Sequence, residues 1–124
     1  MKAVLCEARH EHPSINGLPA IYPKQVNPMD FGQLDQLAAD FMLSPVNSTD
    51  LALNGLDLYV TGLTPAVIAV VRQSLNQKIE LRLWHYDRES NDYVCQPVIS
   101  TCIEEQAYDS YGVTVPYAPK LSTN

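Results

Sequence analysis

The stretch Leu56-Asp57-Leu58-Tyr59-Val60-Thr61-Gly62-Leu63-Thr64-Pro65-Ala66 decides the fold. Its first five residues are rich in strand-forming side chains and predict a strand. Thr61 to Pro65 reads as a tight strand-to-helix turn. Gly62 opens dihedrals that other residues avoid, Thr64 suits a helix cap, and Pro65 suits the first helical position. Ala66 to Leu75 then carries Val67, Ile68, Val70, Val71 and Leu75, apolar almost all round, which predicts a largely buried helix ending at Asn76 or Gln77. A further strand, Ile79 to Tyr86, puts Ile79, Leu81, Leu83 and His85 on one face and Glu80, Arg82, Trp84 and Tyr86 on the other. Strand, helix and strand in this order imply parallel pairing with a right-handed crossover.

Toward the N-terminus, residues 2–8 predict a first strand and Arg9 to Gly17 a loop; Ile21 and Tyr22 suit a short extended piece. Asn27-Pro28 reads as a helix start, with Phe31, Leu34, Leu37, Ala38, Phe41 and Met42 forming one apolar stripe that ends near Ser44, before Pro45. Val46 to Asn54 reads as a loop with at most one helical turn around Asp50 to Leu53. Beyond Tyr86, the polar run Asp87 to Asp92 separates two strand-like segments, so Tyr93–Gln96 and Val98–Ile99 complete a hairpin with Pro97 on an edge strand. A short helix is expected around Ile103–Ala107. The expected order is β-α-β-α-β-β, a small Rossmann-like α/β open sheet, mostly parallel with a C-terminal antiparallel hairpin. It forms a single domain over residues 1–111, followed by an extended tail at 112–124.

The composition agrees with a globular chain. Of 124 residues, 46% are hydrophobic and 18% charged, enough to bury a core. Eight basic against fourteen acidic residues give a formal charge of −6, which disfavours duplex DNA and anionic membranes. No apolar run approaches the ~20 residues of a membrane span, and Glu7 interrupts the N-terminal apolar stretch before it reaches signal-peptide length. Cys6, Cys95 and Cys102 form no C-x-x-C pair and suit reduced thiols in the cytoplasm.

Ligands of open parallel sheets bind beyond the carboxyl ends of the strands. Three segments are expected there: Arg9-His10-Glu11-His12, Thr61-Gly62-Leu63-Thr64 and His85-Tyr86-Asp87-Arg88. The amides at the start of the second helix, with the hydroxyls of Thr61 and Thr64, suit an anion; the same residues also suit a turn that binds nothing. Arg9 can clamp a phosphate, and His10 or His12 can serve as acid or base, although an ordinary polar loop has the same composition. His10, His12 and His85 would make a metal site only if three loops met, and no spacing fixes them as H-E-x-x-H would. Trp84 and Tyr86 read as aromatics covered by a helix, with a base-stacking platform as the alternative. No G-x-S-x-G elbow is present.

The segment Leu56 to Tyr86, with its V-T-G-L-T-P-A turn, resembles the core of small Rossmann-like CRISPR-associated proteins. These include CARF-type sensor domains and compact ring nucleases that bind or degrade cyclic oligoadenylates. The resemblance implies a homodimer with a small nucleotide ligand and metal-independent phosphodiester cleavage, in which a ribose 2′-hydroxyl attacks the neighbouring phosphate; no cofactor is expected. Carried over by position, Arg9 and His10 would be catalytic. Thr61, Gly62, Leu63 and Thr64 would bind ligand, with His12, His85 and Arg88 nearby. Two other readings remain open: a non-catalytic interaction module encoded by a mobile element or phage, and a metal-dependent hydrolase using the three histidines.

Overall fold

A computed structural model describes residues 1–7 and 11–100. Arg9, His10, Cys102, the helix expected at Ile103–Ala107 and the tail at 112–124 lie outside the described residues. The elements are β1 (Lys2–Cys6), β2 (Ala20–Tyr22), α1 (Phe31–Leu43), α2 (Pro45–Asn54), β3 (Leu56–Tyr59), α3 (Thr64–Gln77), β4 (Leu81–Asp87) and β5 (Asp92–Ile99). They build a five-stranded sheet in the order β2-β1-β3-β4-β5. All neighbours are parallel except β4 and β5, which pair antiparallel. This is the mostly parallel open sheet with a C-terminal antiparallel pair that the sequence predicts.

Strand alternation divides the side chains between two faces. Ala3 and Leu5 of β1, Leu56 and Leu58 of β3, and Leu81 and Leu83 of β4 join Leu34, Ala38 and Met42 of α1, Leu51 of α2, and Ala66, Ala69 and Val70 of α3 in the main core. A fully buried leucine such as Leu58 contributes roughly 1.5–3 kcal/mol through its removal from water. The opposite face carries Val4, Tyr59, Trp84 and Tyr93, covered in part by Ile15 and Leu18 from the loop between β1 and β2. Connection handedness accounts for this division. Steps from β2 to β3 and from β3 to β4 advance the same way across the sheet, so right-handed crossovers put their helices on one face. The β1-to-β2 step runs the other way and takes its loop to the other face.

The sequence reading needs five corrections. The first helix starts at Phe31, not Pro28: Asp30 accepts from the Gln33 amide as its cap, while Asn27 accepts from the Met29 amide inside a preceding turn. The segment read as a loop after Pro45 is the ten-residue helix α2. Pro45 stands in its first turn, where it starts a helix as readily as it stops one. Ser44, in extended conformation, separates the two helices, and the Asn47 side-chain amide donates to the Phe41 carbonyl at 2.9 Å to satisfy the end of α1. β2 is a full parallel edge strand, reached from β1 without a helix. α3 is not apolar-covered all round, since Ile68 is 54% and Leu75 58% exposed. Trp84 and Tyr86 are not covered by a helix, because α1, α2 and α3 all pack against the other face. No helix among the described residues is long and apolar enough to cross a membrane.

Candidate functional site

The sheet turns back on itself between β1 and β3. From β1 the chain steps to one side and from β2 it jumps to the other, so the loops leaving β1 and β3 diverge. Open α/β sheets bind ligands at such a switch point, outside the carboxyl ends of the strands. Glu7 follows β1 there, and Thr61-Gly62-Leu63 lies between β3 and α3.

The β3–α3 turn has an unusual backbone. Gly62 lies at φ +91° and Leu63 at φ +51°, ψ +65°, two successive residues on the left-handed side of conformational space. Gly62 reaches it freely; Leu63 does so at a cost of roughly 1–2 kcal/mol. Leu63, not Thr64, occupies the cap position of α3, and no side chain caps the helix. Thr64 is already helical, which corrects its expected capping role. Among the described residues, the amides of Gly62, Leu63 and Thr64 donate to no backbone carbonyl. They stand at the positive end of a fourteen-residue helix.

Thr61 lies one residue earlier and is 8% exposed. Its Oγ1 is buried without a hydrogen-bond partner among the described residues. It lines a hollow of about 370 Å³ between the carboxyl ends of β1 and β3 and the loop that leads into β2, together with Glu7, Asn16 and Gly17.

A second hollow, of about 360 Å³, opens on the same face of the sheet beside the β4–β5 turn. Glu11, His12, Tyr86, Arg88, Asn91 and Tyr93 line it. The turn itself is held by Asp87, whose carboxylate accepts from the Ser90 hydroxyl at 2.9 Å and from the Glu89 and Ser90 amides at 3.3 Å, bonds that lower its carboxyl. Tyr93 meets Tyr59 edge-on at 5.0 Å and Tyr86 at 5.6 Å, and Tyr59 stacks on Trp84 at 5.6 Å. Burial raises the Tyr93 and Tyr59 phenols, with nearby Tyr86 adding to the first and Asp57 to the second. Arg88 is exposed at the rim, and no carboxylate among the described residues pairs with it.

His12 is committed in this arrangement. Its Nδ1 accepts from the Ser14 amide at 3.0 Å, so its proton sits on Nε2, which donates to the Asn91 carbonyl at 3.1 Å. Its ring also meets Tyr86 and Tyr93 edge-on. Neither nitrogen is left for proton transfer while these bonds hold.

Thus the described residues form two hollows, one on either side of the loop from Glu11 to Pro19. The structure brings His12 and Arg88 together and seats Thr61 to Thr64 at the switch point. His85 falls apart from both: it shares the helix-side face with Leu81 and Leu83, and its Nε2 lies 2.7 Å from the Gln96 carboxamide oxygen across the hairpin. A set of His12 and His85 on one metal is therefore excluded by the sheet between them, and no three His, Cys, Asp or Glu side chains gather among the described residues. Arg9 and His10 are outside the described residues. Sequence reading missed Tyr93, Asn91, Glu7 and Asn16 as lining residues. The hairpin register, which sets Tyr93 opposite Tyr86, would have found the first.

No family model, no curated protein and no solved structure matches the chain. The site is therefore read from its own chemistry.

Proposed function

We propose that the protein binds a short or cyclic oligonucleotide at the carboxyl edge of its sheet. The observation that carries this reading is the uncapped start of α3 at the switch point, where three backbone amides have no acceptor among the described residues and the helix dipole favours an anion. At the same carboxyl edge of the sheet, the β4–β5 hollow offers the rings of Tyr86 and Tyr93 and the Arg88 guanidinium to a nucleoside. The net charge of −6 suits a small ligand held in a pocket better than a long nucleic acid tracked along a surface. Cleavage by in-line attack of a ribose hydroxyl would fall to Arg9 and His10, since His12 is engaged on both nitrogens. The test is incubation with cyclic and linear oligoadenylates of several lengths, without metal. Trp84 fluorescence reads binding and chromatography reads products. Absence of binding across the panel overturns the proposal; binding without products keeps the binder and discards the nuclease.

A second reading, the interaction module, is favoured by a different feature. α1 and α3 leave an apolar groove of about 390 Å³ lined by Phe31, Pro65, Ile68 and Ala69, with the Asp35–Arg72 ion pair at 3.3 Å on its border. Phe31 is 61% exposed there. Sedimentation of the wild type and of Phe31→Glu distinguishes a self-associating surface from an idle one.

A further inference from the structure

Asn-Gly occurs twice in the chain, at Asn16-Gly17 and at Asn54-Gly55. Such a pair can react with itself. The glycine backbone nitrogen attacks the asparagine Cγ, and glycine carries no side chain to stand in the way. The nitrogen gives its proton to water, a cyclic imide forms, and Nδ2 leaves as ammonia. Water then opens the imide at either carbonyl, to aspartate or to isoaspartate. Asparagine and water thus become an acid and ammonia, with nothing oxidised or reduced. The reaction needs a solvated glycine nitrogen and a carboxamide free to swing onto it, and the fold treats the two pairs differently.

Asn54 is pinned. It ends α2, its Nδ2 donates to the Asp50 carboxylate at 2.7 Å, and its carbonyl accepts from Arg82 at 2.8 Å. The Gly55 nitrogen, the attacking atom, donates to the Leu51 carbonyl at 2.9 Å, and Gly55 is buried against the Glu80 backbone. Attack there must first break both the amide bond and the side-chain bond. Asn16 and Gly17, by contrast, are both exposed, in the loop between β1 and β2. We propose that Asn16 is a site of spontaneous deamidation and isomerisation, and that the fold spares Asn54. Asn16 lines the hollow at the switch point together with Glu7, so either product sets a second carboxylate into that hollow. Isoaspartate also lengthens the backbone of the loop whose Ile15 and Leu18 cover Val4 and Tyr59. A converted chain therefore binds an anion at this edge less well than a fresh one. That consequence rests on the oligonucleotide reading above; the modification does not.

The experiment incubates the full chain in mildly alkaline buffer, folded or in urea. Proteolytic peptides are mapped by mass, isoaspartate is read by methyltransferase labelling, and released ammonia is assayed. The folded protein is expected to convert Asn16 at least about tenfold faster than Asn54, the factor set by one hydrogen bond of ordinary worth. In urea the two sites are expected to convert at similar rates. Equal conversion of both sites in the folded protein overturns the proposal, and so does a folded Asn16 that stays intact while the unfolded one reacts. A preference for Asn16 that persists undiminished in urea overturns the role of the fold. Converted protein that binds oligoadenylate as tightly as fresh protein overturns the effect on the site. Fresh protein that binds none overturns the oligonucleotide reading and leaves the modification standing.

Discussion

Arg82 grips Asp57 across adjacent parallel strands with two bonds, Nε to Oδ1 at 2.7 Å and a terminal nitrogen to Oδ2 at 3.2 Å. Trp84 donates its indole N–H to the same Oδ1 at 2.9 Å. Burial alone would raise this carboxyl, but the bonds from Arg82 and Trp84, with the Arg82 charge, hold it below its ordinary range. The group therefore fixes the register of β3 on β4 and anchors the aromatic face from its amino end.

Asp57→Asn is expected to cost about 1.5–3 kcal/mol, since it weakens hydrogen bonds to a charged partner that stays half-buried. Because the folded carboxyl is depressed, the unfolded chain binds the extra proton first as pH falls. The stabilisation is complete above the ordinary aspartate range and is lost below about pH 4 as the folded group titrates. Urea midpoints measured from pH 7 to pH 3 should fall less steeply in the variant than in the wild type.

Tyr22 supplies the opposite pH signature. Its hydroxyl is buried between the helices and donates to the Leu34 carbonyl at 2.9 Å, with the Ala66 carbonyl at 3.5 Å. Burial, with the nearby Asp35 charge, raises its phenol well above the ordinary tyrosine range. The native state then holds its proton longer than the unfolded chain does. Stability is complete below about pH 10 and is lost as pH rises further. Tyr22→Phe should cost about 1 kcal/mol at neutral pH and flatten the alkaline fall in melting temperature.

Two glycines with positive φ should respond differently to alanine. Gly55, at φ +74°, ends α2 against β4, and a Cβ there would meet the Glu80 carbonyl oxygen at 2.8 Å. At Gly62, φ +91°, a Cβ would meet nothing within 4 Å among the described residues. Gly62→Ala is expected to cost only dihedral strain, about 1–2 kcal/mol. Gly55→Ala adds a backbone clash and should cost about 2–4 kcal/mol. Melting temperatures of the two variants decide the order.

These positions show what a sequence makes legible. The β3–α3 turn could be read from Gly62 and Pro65, because local dihedral demands are written locally. The left-handed Leu63 could not, since leucine carries no preference for that conformation and the surrounding packing imposes it. Pro45 is ambiguous in any sequence: it closes one helix and opens the next, and α2 was lost on that ambiguity. The sheet's parallel core was legible from alternating strands and helices. The β1-to-β2 crossover was not, because its connection is a loop whose Ile15 and Leu18 look like ordinary loop residues until they meet Val4. The aromatic cluster depends on a register that sets Tyr93 opposite Tyr86, a long-range fact with no local signal.

His12 provides the remaining prediction, because its ring bridges two loops at the edge of the second hollow. The Ser14 amide fixes its tautomer from one side and the Asn91 carbonyl engages it from the other, 79 residues along the chain. A histidine so engaged acts as a clasp between the loop before β2 and the β4–β5 turn. His12→Ala is expected to cost about 1 kcal/mol, as the bonds lie near solvent, and to speed hydrogen exchange at the Ser14 amide by removing its acceptor. The Tyr86 and Tyr93 rings lose an edge contact at the same time, so the tyrosine near-ultraviolet dichroism should weaken. A histidine held instead for proton transfer would leave exchange at Ser14 and the tyrosine signal as they are in the wild type, and that result would remove the clasp.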